Sequence, residues 1–115
     1  MTTRYKIVLV SFPFDDLSAT KVRPAVCLTE PIGPHRHVVL AFITSRILDR
    51  PLKTDLSIDA TQPGFSETGL RMASTLHLHR LMTVTTALFQ RELGVIPPSM
   101  QEQQISRRLC ILFGL

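Results

Sequence analysis

The sequence predicts a mainly β fold of the α+β kind. Five to seven short strands should close into a small barrel or half-open sheet, followed by one amphipathic helix. Three observations lead there. Short runs of Val, Ile and Leu lie between loops punctuated by eight prolines. One stretch, "ASTLHLHRL", alternates apolar and polar residues. The last segment switches to helical spacing. With 115 residues, 44% hydrophobic and 19% charged, the chain reads as a single domain over 1–115.

The elements follow in order. "KIVLV" at 6–10 is a short β-branched run and reads as a strand. "SFPFDDLSATK" is polar, carries Pro13 and reads as a loop. "RPAVCLT" is a second strand, in which Pro24 must lie at the start or on an edge. After the loop "EPIGPHR" comes "HVVLAFITS", nearly all apolar and so expected at the sheet centre. "DLSI" is a short strand between two loops. In "ASTLHLHRL", Leu76, Leu78 and Leu81 face inward, while Thr75, His77 and His79 share the other face of a half-buried strand. "TALFQRELGVI" is read as a strand because Gly94 and Pro97 leave little room for a helix. The final "PPSMQEQQISRRLCILFGL" begins with Pro98 at a first-turn position, repeats Ile105, Leu109 and Leu112 on one stripe, and stops at Gly114.

Composition narrows the function classes. No run of about 18 apolar residues is present, so a membrane span is not expected. The N-terminus lacks the apolar region and cleavage site of a signal peptide, which points to the cytoplasm. Cys27 and Cys110 both fall in apolar runs and read as reduced core thiols. There is no Cys/His spacing for a structural zinc. No cofactor is expected. The net charge of +4 favours a polyanionic partner such as nucleic acid, or simply a solvated basic surface.

Several residues are chemically suggestive. Arg23 precedes Pro24, which biases its backbone to extended geometry and presents the guanidinium at a strand end. A second strand ends in Thr44 and Ser45, followed by Arg46. Together these groups can converge on a phosphate, which a guanidinium grips with two parallel bonds. They can equally be solvent-facing strand caps. His77 and His79 point to one face; they suit an acid–base pair, a metal, or a merely polar sheet face. His35 and His37 flank Arg36 in a loop and read as solvated. Phe14, in "SFPFDD", is a candidate base-stacking platform.

"IVLVSFPFDDLSATKVRPAVCL", "VVLAFITSR", "LHLHRLMTV" and a terminal helix ending "LFGL" stand in that order. This ordered set resembles the MazF/PemK (Kid-like) toxins of bacterial type II toxin–antitoxin systems, from about Ile7 to Leu115. The resemblance implies an SH3-like β-barrel with a C-terminal helix, forming a homodimer. It also implies metal-independent, sequence-selective cleavage of single-stranded RNA, leaving a 2′,3′-cyclic phosphate and a 5′-OH. The partner it implies is a cognate antitoxin with a disordered acidic tail. The family's motif arginine matches Arg23 and its strand-end threonine matches Thr44, both regarded as catalytic. Lys21, Ser45, Arg46 and Arg80 become candidates for RNA contacts, with Phe14 for stacking.

Two departures stand out. Where members often carry an "R-x-D" or "L-D-R" type stretch before the residues matching Thr83–Val84, this chain has His77 and His79 and no acidic residue. Either the histidines take over acid–base work or the nuclease is weak. The glycine usual before the first strand is also absent; Tyr5 and Lys6 stand there. The competing reading is a non-enzymatic binding module, a protein-target inhibitor of the gyrase-poison kind or an inactive RNA binder.

Overall fold

The computed structural model describes residues 2–13 and 20–115, with only the backbone at 12, 13, 20 and 21. Six strands form one antiparallel sheet: β1 Lys6–Pro13, β2 Thr20–Cys27, β3 His37–Thr44, β4 Asp55–Ile58, β5 Ser74–Thr85 and β6 Phe89–Val95. Their order is β4-β5-β3-β2-β1-β6, with β3 in the interior as its apolar sequence predicts. The sheet is open, with β4 and β6 at its edges.

Strict alternation builds two apolar layers. Ile7, Val26, Ala41, Ile43, Leu76 and Leu78 face one side, where Met100 and Ile105 of the C-terminal helix cover them. Val8, Val10, Ala25, Cys27, Val38, Leu40 and Val84 pack on the other. Both faces of the sheet are therefore buried near its centre, and β5 is not the half-buried strand its pattern predicts. Ser74 through Leu78 are all buried, Thr75 and His77 included. Their polar atoms are satisfied inside: the Thr75 hydroxyl donates to the Arg46 carbonyl.

Register settles the three inward leucines. Leu76 and Leu78 have the same parity as each other but not as Leu81. Opposite β3, Leu81 pairs with Ala41 and His77 with Phe42, so residues 78–80 have no counterpart. This irregularity turns the strand and lets Leu81 reach the same core as Leu76 and Leu78.

Pro24 lies in the middle of β2, an interior strand, rather than at a strand start. The reason is local. The β2–β3 ladder comprises only Ala25, Val26 and Cys27, opposite Phe42, Ala41 and Leu40. Pro24 stands just beyond the last paired residue, where a missing N–H is tolerated. From there to Thr20, β2 is paired with β1 alone.

Tyr5 takes the conformation that glycine would adopt. Its φ is +71°, with its N–H bonded to the Cys27 carbonyl and its carbonyl accepting from Ile96. Such a backbone costs a non-glycine residue about 1–3 kcal/mol. The buried ring offsets this by packing in the core, with its hydroxyl 3.1 Å from Ser106 Oγ.

The C-terminal helix starts at Pro98 and ends at Gly114, as predicted. It runs as Pro98–Met100, a π-helical stretch Gln101–Ser106, and Arg107–Phe113. Ile105 is buried and Leu109 packs against the core. Cys110 is exposed, correcting its reading as a core thiol, because the buried stripe passes through Ile105 and Leu109 instead. Cys27 is buried as expected, and burial pushes its thiol up to about 12, so it stays an inert apolar filler.

A turn of 3₁₀ helix, Phe65–Thr68, rests directly on β6. A Cβ on Gly94 would lie 2.1 Å from the Glu67 carbonyl oxygen, with no flexible side chain to yield. Gly94→Ala is expected to destabilise the protein by about 3 kcal/mol, lowering Tm by on the order of 10 °C. A thermal melt unchanged within 2 or so degrees (roughly 0.5 kcal/mol) would contradict that packing.

Candidate active site

The early end of the β2–β3 ladder leaves a gap, and a cleft opens there. It has a volume of about 710 Å³ and is lined by Val22, Arg23 and Pro24 of β2, Ile43 to Arg46 at the end of β3, Leu48, His77 and Arg80. Sheet parity explains why the polar groups meet. Ala25, Phe42, His77 and Asp55 stand opposite one another across four successive strands, so they share one face. Arg23 lies two residues along β2 from Ala25, and Thr44 two residues along β3 from Phe42. Both therefore point to that face, just past the apolar layer of Val8, Ala25 and Leu40.

Arg23 is exposed although it sits inside β2 rather than at a strand end, because its β3 flank is open. Arg80 belongs to the unmatched residues of β5 and lines the same cleft from the opposite wall. Arg46 lines the cleft too, so three arginines border a space walled by Thr44, Ser45 and His77.

Behind the cleft wall lies an acidic group. The Asp55 side chain is 1% exposed, and its Oδ1 is 3.0 Å from His77 Nδ1. Its Oδ2 accepts the Leu52 N–H at 2.8 Å, which fixes the carboxylate plane. On the far side of the ring, His77 Nε2 is 3.1 Å from Thr44 Oγ1. An ionised carboxylate can only accept, so Nδ1 carries the imidazole proton and Nε2 of the neutral ring is an acceptor. With the ring neutral, the chain of bonds runs one way: Thr44 hydroxyl to His77, His77 to Asp55. Such an arrangement can orient a base toward a cleft and stabilise the cation it forms on taking a proton.

An acidic residue absent from β5 thus stands beside His77 on β4. Asp55 escaped sequence reading because it is 22 residues from His77. One signal was present: aspartate is depleted in strands, and here it opens "DLSI". Of the residues singled out in the sequence, the cleft gathers Arg23, Thr44, Ser45, Arg46, His77 and Arg80. His79 is not on the cleft lining; its exposed ring stands beside His77, with Nδ1 3.8 Å from the same Asp55 Oδ1. Phe14 and the Lys21 side chain lie outside the described residues.

Fold and cleft define a class: small antiparallel β proteins capped by a C-terminal helix, with a cationic, hydroxyl-bearing cleft where two strands part. The chain belongs to the PemK-like, MazF-like toxins of type II toxin–antitoxin systems, whose family model matches residues 3–113. Its fold is similar to that of the Mycobacterium tuberculosis toxin MazF-mt6, with a TM-score of 0.71, 22% identity, and coverage of 96% of this chain and 97% of that one. An endoribonuclease in complex with its cognate antitoxin from a mycobacterial species also has a TM-score of 0.71, at 14% identity over 100% and 97% of the two chains. MazE–MazF from Deinococcus radiodurans has a TM-score of 0.68 at 15% identity, over 97% and 95%. At these identities the likeness speaks for the fold alone. No curated protein sequence matches the chain. Among the described residues, no helix is long and apolar enough to cross a membrane.

Proposed function

We propose that this toxin is a metal-independent, sequence-selective endoribonuclease that cuts single-stranded RNA, mRNA included, in the Arg23–Arg80 cleft. The observation that carries the reading is the Asp55–His77–Thr44 chain opening onto a cleft lined by Arg23, Arg46 and Arg80. The 2′-OH loses its proton to His77 Nε2, directly or through the Thr44 hydroxyl, and its oxygen attacks the adjacent phosphorus. The bond from phosphorus to the 5′ oxygen breaks, leaving a 2′,3′-cyclic phosphate. The departing oxygen takes a proton from water in the open cleft and becomes a 5′-OH. Arg23 and Arg80 neutralise the charge that grows on the phosphoryl oxygens, where fixed donors act most strongly. An arginine keeps its proton at any ordinary pH, so it serves as an electrostatic clamp and not as the base. Ser45, Arg46 and Lys21 supply contacts to the RNA backbone, and Phe14 a stacking surface.

The same reading includes a small SH3-like β-barrel, a homodimer, and a cytoplasmic setting. It includes a cognate antitoxin whose disordered acidic tail competes with RNA for the cleft by charge mimicry. Solved toxin–antitoxin complexes of the same fold support that partner. Nothing observed favours the non-enzymatic alternative.

The test is cleavage of a long single-stranded RNA in EDTA with mapping of the new ends. Cuts at one recurring short motif, bearing cyclic phosphate and 5′-OH ends, are expected. A folded protein that leaves the RNA intact would overturn the reading.

A further inference from the structure

Asp55 has a second histidine beside it, and the cleft chemistry does not use it. His79 Nδ1 is 3.8 Å from the same Oδ1 that meets His77 Nδ1 at 3.0 Å. The two rings are nearly perpendicular, 88° apart with centroids separated by 5.7 Å. One ligand atom from each of Asp55, His77 and His79 lies within 4.8 Å of the other two. Ligands at zinc bond lengths in a tetrahedral site are about 3.3 Å apart, so the two distances to Asp55 bracket the requirement. The site is also built to hold its shape. Asp55 Oδ2 is tied to the Leu52 N–H, and Arg108 Nε donates to the Asp55 carbonyl rather than to its carboxylate. His77 is anchored at its other nitrogen by Thr44. The His79 side chain is 37% exposed, which leaves the cluster a path in from solvent.

We propose that Asp55, His77 and His79 form a site for a transition-metal dication, Zn²⁺ above all, and that filling it switches off the nuclease. Two imidazoles and one carboxylate suit zinc, whereas Mg²⁺ and Ca²⁺ demand oxygen ligands. The switch follows from where the metal sits. Coordination uses the Nδ1 lone pair of His77, so the proton held there toward Asp55 must go. The neutral ring then carries its proton on Nε2, with no net change in protons. Nε2 becomes a donor to Thr44 and can no longer accept a proton from the RNA hydroxyl. The inhibitory part rests on the nuclease reading above; the metal site itself does not.

The test joins binding to rate. Zinc is titrated into the purified toxin by calorimetry and against a chromophoric chelator, and Co²⁺ is added as a spectroscopic stand-in. One equivalent should bind, with visible Co²⁺ absorption of the tetrahedral kind. His79→Ala should weaken Zn²⁺ affinity at least about tenfold. RNA cleavage is then compared with and without zinc within each variant: wild type should slow and recover in EDTA, and His79→Ala should slow far less. Absence of stoichiometric binding, or binding indifferent to His79→Ala, would overturn the site, since the metal would then sit elsewhere, for example at His35 and His37. A toxin that cuts RNA in EDTA, and at the same rate without EDTA when saturated with zinc, would overturn the switch and leave the nuclease intact. Zinc binding that needs His79, in a protein that cuts no RNA at any zinc level, supports the site and overturns the nuclease.

Discussion

Arg23→Ala is expected to lower the cleavage rate by at least about a hundred- to a thousandfold, the usual cost of removing one donor aimed at developing charge. The loss should fall on kcat more than on KM, because Arg46 and Arg80 still draw RNA into the cleft. Arg23 is exposed on a strand whose backbone is already paired to β1, so the melting temperature should hardly move. Arg23→Lys separates charge from shape. It keeps the cation but loses the flat fork that grips two phosphate oxygens, and should restore only part of the rate. Full activity in either variant would remove Arg23 from the chemistry. Equal losses in kcat and in melting temperature would recast it as a structural residue.

Asp55→Asn should produce a larger loss at nearly constant shape, on the order of a thousand- to ten-thousandfold in kcat. The amide oxygen can still accept the Leu52 N–H, which leaves the NH₂ group facing His77 Nδ1. A donor there forces Nδ1 to become an acceptor. The ring proton moves to Nε2, which then points a donor at Thr44 and the cleft. Geometry survives while the direction of proton transfer reverses. Single-turnover cleavage by Asp55→Asn, set beside its melting curve, tests this. Wild-type rates in a folded Asp55→Asn protein would show that His77 needs no orienting partner, and the proposed base would have to be found elsewhere.

These variants also show how much of the site was legible in the chain. Arg23 stood out because it precedes a proline at the mouth of an apolar run. Thr44 stood out because hydroxyls end an otherwise apolar strand. His77 was placed on the right face by simple alternation with Leu76 and Leu78. Each is a local signal, readable within a few residues. Asp55 gave almost none, since its meaning depends on which residue of β5 it faces.

The division follows the range of the forces. Strand and helix identity, the buried central strand, the proline-capped helix start and the glycine stop come from side-chain period and backbone restriction. Both act over a turn or a pleat, so the sequence by itself determined them. Cross-strand register is different. It is decided by how two distant segments maximise shared burial, and one residue of slip changes every neighbour. Only the tertiary structure ends the β2–β3 ladder at Ala25 to open the cleft. It alone inserts unmatched residues into β5, leaving Arg80 on the cleft wall and Leu81 in the core. It also turns Cys110 outward by routing the helix's buried stripe through Ile105 and Leu109. Asp55 is brought to two histidines in the same way: β4 pairs with β5 to bury Leu56 and Ile58, and the carboxylate is carried along on the opposite face.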